Sequence, residues 1–279
     1  MTQKPLLVWT NEPGDEPKKS VVSSAAGLGR ITRVMNVFSG DVFWNNRHFL
    51  GSYHFDTSNN LGIDLSAPVS PITLDEYQSR QSFVSAVFTH SSERSRTYKL
   101  SSGHGSLLGA RCAVVEAFRK QSATIVAGRG WPPGVSIEDS GYRGNEDADL
   151  PWWTRKLEIL KKAKINIAIE NTAAPWYCTE KIWHSIVSKA LPVYRSEGTR
   201  IYETFPRESF IDTSDYECDG SMVDAVVALA DDEVVTRINT CIDVYNRERE
   251  KRISEIPHSY GDCISRVLER IRTIVPTSI

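Results

Sequence analysis

Between Phe83 and Ile211 short apolar runs alternate with stretches whose apolar residues recur every three to four positions. This alternation constrains the fold most, because short apolar runs rich in strand formers make buried strands while the longer period makes amphipathic helices. Phe83 to Phe88 and Thr124 to Ala127 read as strands, with a helix over Arg111 to Gln121 that carries Val114, Val115 and Phe118 at helical spacing. Trp152 to Ala163 reads as a helix and Ile165 to Ile169 as a strand. Thr179 to Ala190 follows as a helix, with Ile182, Trp183, Ile186, Val187 and Ala190 in one stripe. Pro192 to Tyr194 begins another strand, Ser209 to Ile211 is a further one, and Ser221 to Ala230 is a helix with Ser221 as its N-cap. Such alternation forms βα units around a parallel sheet covered on both faces. His258 to Val275 places Tyr260, Cys263, Ile264, Val267, Leu268 and Ile271 on one face of a helix that docks on the body.

Polar stretches rich in Gly, Pro and Ser interrupt this pattern at residues 11–30, 56–73 and 128–151. Leu6 to Trp9 and Ile31 to Phe38 read as strands, too little for a complete α/β unit. The expected division is a reduced N-terminal lobe over 1–78, a full Rossmann-like domain over 79–250 and a docking helix over 251–279. Composition narrows the function classes. With 40% hydrophobic and 24% charged residues the chain has a globular mix, which excludes wholesale disorder. Its 33 Lys and Arg against 35 Asp and Glu give a net charge of −2, which argues against a nucleic-acid partner. No apolar run approaches the roughly 18 to 20 residues that a membrane span requires. Met1 to Pro5 shows no apolar signal-peptide core. Cys112, Cys178, Cys218, Cys241 and Cys263 are scattered and include no CxxC pair, so they read as thiols of a reducing compartment. These features suggest a cytoplasmic protein, or one peripheral to a membrane where an anchor precedes the chain.

The stretch Ile167 to Lys181 carries the chemistry. A buried strand ends in Glu170, Asn171 and Thr172, an aromatic loop over Ala173 to Cys178 follows, and a helix begins at Thr179 with Glu180 and Lys181 in its first turn. Ligands of open α/β sheets sit beyond the carboxyl ends of the strands. A helix N-terminus there offers free N–H groups and partial positive charge to a phosphate. Lys181 opposes the helix dipole, a placement that makes sense beside a bound anion. Tyr177 can stack on a base or sugar and Glu180 can accept hydrogen bonds from hydroxyls. An ordinary capped helix with solvated charges explains the same residues without a ligand.

Residues 165–194, KINIAIENTAAPWYCTEKIWHSIVSKALPVY, resemble the donor-binding signature of the family 10 glycosyltransferases, the α-1,3/1,4-fucosyltransferases. FPRESFIDTSDY at 205–216 and the turn Gly128-Arg129-Gly130 after a strand extend the resemblance over roughly 120–216. It implies a GT-B-like fold of two Rossmann-like lobes, here with a shortened N-terminal lobe. The implied activity is inverting, metal-independent transfer of L-fucose from GDP-fucose to a hydroxyl of an oligosaccharide or glycoconjugate, with no cofactor beyond the donor. Carried over residue by residue, it places donor contacts at Asn171, Tyr177, Glu180 and Lys181, and at Arg111, with Arg94 and Arg96 as rivals. The catalytic base it implies is Glu12, in the strand-end segment Trp9 to Pro13, with Asp15, Glu16 and Asp41 as substitutes. The chain departs from the family pattern in having few residues ahead of that segment, in Arg195 after Pro-Val-Tyr, and in Ile169 before Glu-Asn. A transferase of the same fold using another nucleotide sugar, or a non-catalytic carbohydrate-binding relative, fits the same motifs. Asp147-Ala148-Asp149 has the form of a metal-binding pair but sits in a polar loop, and the His residues show no metal-ligand spacing.

Overall fold

A computed structural model describes residues 6–10, 22–23, 31–36, 42–51, 61–90, 105–137, 151–217 and 219–274, with side chains of the first three segments and of 259, 260 and 274 left aside. Three strands, β1 (Leu6–Thr10), β2 (Val22–Ser23) and β3 (Ile31–Asn36), form a small sheet in the order β1-β3-β2, with β1 and β3 parallel. A short helix, α1 (Leu74–Gln78), starts where the Thr73 hydroxyl accepts the Glu76 N–H. The larger sheet holds five strands, β4 (Ser82–Val87), β5 (Thr124–Ala127), β6 (Ala163–Ile167), β7 (Leu191–Tyr194) and β8 (Ile211–Asp212), ordered β5-β4-β6-β7-β8. Every pairing in it is parallel. The α/β class and the parallel sheet agree with the sequence reading.

Helices α2 (Leu108–Arg119), α3 (Trp152–Leu160) and α4 (Glu180–Val187) connect consecutive strands of the large sheet. Because β5 and β6 lie on opposite sides of β4, right-handed crossovers put α2 on one face and α3 and α4 on the other. Val114, Val115 and Phe118 of α2 and Ile182, Trp183 and Ile186 of α4 are each at most 1% exposed, so both stripes read from the periodicity are buried. They share one core with Val84, Val126, Ile165 and Val193 of the sheet, and with Leu50, Ile63, Ile72 and Tyr77 from the preceding segment.

The C-terminal third differs from expectation. Helix α5 (Asp219–Val227) starts two residues before Ser221, so Ser221 lies within the helix rather than at its cap. The expected tail helix is the second half of one 44-residue helix, α6 (Asp231–Ile274), which continues through Pro257. Pro257 removes one backbone hydrogen bond, and the exposed side of the helix accommodates it. Cys263 and Val267 pack against Val42, Phe43 and Phe49, whereas Ile264 and Leu268 are exposed, so the tail's apolar residues do not share one buried face. Two asparagines seven positions apart on α6 hold the extended segment before α1. Asn239 exchanges hydrogen bonds of 2.8 and 3.1 Å with the backbone of Ile72, and Asn246 bonds of 2.8 and 2.9 Å with that of Val69. Their side chains replace the ladder partners that this strandless backbone lacks.

Candidate functional site

The order β5-β4-β6-β7-β8 reverses direction between β4 and β6, so the crevice beyond their carboxyl ends is where such a sheet receives ligands. Three pieces of chain meet there. After β4, Phe88 and Thr89 run beside the Gly128 turn that ends β5. Gly128 has φ +133°, and a Cβ on it would lie 2.2 Å from the Phe88 carbonyl oxygen, so only glycine fits this approach. After β6, Asn171 to Ala173 pair with Gly105 to Leu107. Leu107 N–H donates to the Asn171 carbonyl at 2.8 Å and Ala173 N–H to that of Gly105 at 2.9 Å. This pairing brings the start of α2 against the loop leading into α4.

Glu170 lies three residues beyond β6 and is 1% exposed. Its Oε1 accepts the Thr179 backbone N–H at 2.7 Å, and its Oε2 accepts the Thr179 hydroxyl at 2.7 Å and the Lys181 ammonium at 2.9 Å. Thr179 is extended, with φ −87° and ψ −166°, yet its hydroxyl makes no cap bond to the helix. The hydroxyl donates to Glu170 and accepts from Lys181 Nζ at 2.8 Å, so Thr179 is held by the carboxylate that follows β6 instead of capping its own helix. Glu180 lies 3.8 Å from Lys181 and 3.1 Å from Lys156 Nζ of α3. The charges therefore alternate along Lys156, Glu180, Lys181 and Glu170.

Burial and these partners oppose each other at every member. Burial pushes the Glu170 carboxyl up, and the Lys181 cation offsets only part of the rise. Burial acts upward on Glu180 too, but Lys181 and Lys156 outweigh it and hold that carboxyl well below the usual range. Burial lowers Lys156 more than Glu180 restores it. Burial also acts downward on Lys181, where Glu170 and Glu180 prevail and raise the ammonium. Beside them, burial lowers the Arg111 guanidinium, which feels Glu170, Tyr177 and Glu180 as counter-charges.

Arg111 occupies the first turn of α2 and is 6% exposed, so it is a buried cation and not a solvated helix-start charge. Its guanidinium sits 4.5 Å from the centroid of the Phe88 ring and donates to the Thr89 carbonyl at 3.2 Å, while its Nε has no hydrogen-bond partner among the described residues. The Asn171 Oδ1 is also buried without a partner among them. A buried polar atom left unpaired is costly, so these two atoms hold unused hydrogen-bonding capacity that a polar ligand could satisfy. Tyr177 is 6% exposed, with its ring in the cluster of Val42, Phe43, Trp176 and Cys263.

The structure thus gathers Arg111, Asn171, Tyr177, Glu180 and Lys181 around the carboxyl ends of β4 and β6. Glu12, with Asp15, Glu16 and Asp41, lies outside the described residues, as do Arg94, Arg96, Asp147 and Asp149. Two members of the charge chain had no role in the sequence reading. Glu170 was visible as a polar strand end, and its partner is set by the loop that returns Thr179 to it. Lys156 looks like any surface lysine of an amphipathic helix, and nothing in its local sequence announces burial. Among the described residues no group of three or more His, Cys, Asp or Glu is placed to hold a metal ion. No described helix is long and apolar enough to cross a membrane.

Residues 146–237 match the family model for glycosyltransferase family 10 (fucosyltransferase), C-terminal region. That span holds every residue of the charge chain and of the Glu170 to Lys181 segment. Among solved structures the chain is similar to an α1,3-fucosyltransferase with GDP, at 22% identity and a TM-score of 0.38, covering 61% of this chain and 39% of that one. An α1,3-fucosyltransferase with GDP-fucose matches at 17% identity and a TM-score of 0.40, over 74% of this chain and 50% of that one. A glycosyltransferase involved in avilamycin A biosynthesis matches at 14% and 0.35, over 70% and 57%. The chain spans less than two thirds of the length of each of these structures.

Proposed function

We propose, from the family 10 match over the segment that builds the charge chain, that this protein transfers L-fucose from GDP-fucose to a glycan hydroxyl with inversion and without a metal. The observation that carries the reading is the placement of Lys181 and Arg111 at the switch point of the sheet, on the helix starts that face the carboxyl ends of β4 and β6. As the bond to fucose breaks, negative charge develops on the departing diphosphate. Cationic side chains already fixed around that point stabilise it without reorganising. The Asn171 amide would meet the diphosphate or fucose, Glu180 would accept from sugar hydroxyls, and Tyr177 would hold the loop that aligns the donor. Glu12 would remove the acceptor proton as the hydroxyl attacks the anomeric carbon. In this reading residues 79–250 bind the donor, residues 1–78 face the acceptor, residues 251–279 dock on the body, and the protein works in the cytoplasm or at a membrane surface.

The reading is tested by titrating the protein calorimetrically with GDP, GDP-fucose and a panel of UDP- and ADP-sugars, then measuring GDP release with oligosaccharide acceptors. Selective binding of the guanosine ligands followed by turnover supports it. Failure to bind GDP would sink it, and binding of GDP-fucose with no turnover on any acceptor would favour a carbohydrate-binding relative.

A further inference from the structure

Glu180 has two cationic neighbours of different kinds. Lys181 follows it in sequence and is partly exposed, whereas Lys156 reaches it from α3 and is only 4% exposed. A buried ammonium is costly unless paired, so its position needs a cause. The hydrogen bond that Lys156 Nζ makes is to Glu180 Oε1 at 3.1 Å, and its charge lies 5.5 Å from the centroid of the Trp152 ring. Lys181 approaches the same Oε1, at 3.8 Å. The other carboxylate oxygen, Oε2, has no hydrogen-bond partner among the described residues. Both cations therefore grip one oxygen and leave its twin able to accept.

The geometry points to Lys156 as a positioning residue: from α3 it fixes Oε1 of Glu180, so that Oε2 is oriented to accept a hydroxyl of the donor. This rests on the donor reading above. Lys156 acts through Glu180 and touches no substrate itself. A purely structural lysine would weaken every ligand alike when removed, whereas a positioning lysine affects only ligands that carry the hydroxyl.

The test is calorimetric titration of the wild-type protein, Lys156→Met and Lys156→Arg with GDP-fucose, GDP and 2′,3′-dideoxy-GDP. If Glu180 accepts from ribose, Lys156→Met should bind GDP and GDP-fucose about tenfold more weakly, the scale of one hydrogen bond to a charged group, and the dideoxy ligand unchanged. If it accepts from fucose, only GDP-fucose should weaken. Lys156→Arg should recover most of the loss. Equal weakening of all three ligands, or no weakening, overturns the inference. Should Lys156→Met not fold, the comparison becomes Glu180→Gln against the double variant Lys156→Met/Glu180→Gln. Equal GDP-fucose affinities are then expected, and a weaker double variant overturns it. A wild-type protein that binds none of the ligands overturns the donor reading, whereas binding with an unaffected Lys156→Met overturns this inference alone.

Discussion

The Lys181 ammonium lies 2.9 Å from a Glu170 carboxylate that also takes the backbone N–H and the hydroxyl of Thr179, so the cation proposed for the donor diphosphate is anchored on a buried anion. Two consequences follow for Lys181→Ala. Glu170 would remain buried without its counter-ion, and breaking such a pair is strongly destabilising. Lys181 is 19% exposed, so solvent moderates the cost, which we place at about 2 kcal/mol. The double variant Glu170→Gln/Lys181→Ala should recover much of that loss, because no uncompensated charge remains. Urea denaturation of the two variants checks this, and a single variant as stable as the wild type would show that the pair contributes little.

Stability and binding should separate in the same pair of variants. If Lys181 contacts phosphate, GDP affinity should fall about tenfold to a hundredfold in Lys181→Ala, the value of one charge-assisted hydrogen bond. The double variant should stay weak while regaining stability. Unchanged GDP affinity in calorimetry would remove Lys181 from the phosphate site.

This coupling shows what the sequence does and does not make legible. The helical stripes around Phe118 and Trp183, and the runs that become β4 to β7, are visible because local periodicity fixes which face is buried. The segment Glu170 to Lys181 is visible as a strand end followed by a helix start. That the Thr179 hydroxyl serves Glu170 rather than its own helix is not visible, since it depends on how the intervening loop folds back. Lys156 is hidden for a related reason: its burial is a property of α3 packing beside α4. The length of α6 escapes because Pro257 and the charged run Arg247 to Arg252 look like a break. Val234, Ile238, Ile242 and Tyr245, each at most 2% exposed at spacings of three to four, carry the helix toward it.

On the proposed reading Lys181 and Arg111 neutralise the diphosphate, so transfer should proceed without a divalent cation. GDP release measured in excess EDTA should match that in buffer. Activity lost in EDTA and regained with Mn²⁺ would redirect attention to Asp147 and Asp149.

Glu12→Gln should leave GDP-fucose affinity near the wild-type value, because the proposed donor contacts all lie between Arg111 and Lys181. Gln keeps an acceptor but cannot take a proton. Turnover should drop by about a hundredfold to ten-thousandfold, the range that general bases supply. A variant that keeps most of its turnover would clear Glu12 and turn suspicion to Asp15, Glu16 or Asp41.

His184 links the site to acid stability. It is fully buried in α4, and its Nε2 lies 2.7 Å from the Leu61 carbonyl oxygen, which can only accept. Nε2 therefore carries the proton, and Nδ1 is bare, buried and without a partner among the described residues. Burial, reinforced by the Lys156 cation, pushes the ring down to about 3. A folded-state value below the unfolded one means that the unfolded chain binds the extra proton first. Stability is thus fully present above the unfolded value near 6.5 and is lost as pH falls from there toward 3. Between pH 7 and pH 5 this residue alone should remove about 2 kcal/mol. His184→Gln can still donate toward Leu61 but cannot ionise, so urea titrations at the two pH values should show the stability difference shrink by about that amount. An unchanged difference would mean that His184 already accommodates its charge in the folded protein, through a partner for Nδ1 that the described residues do not supply.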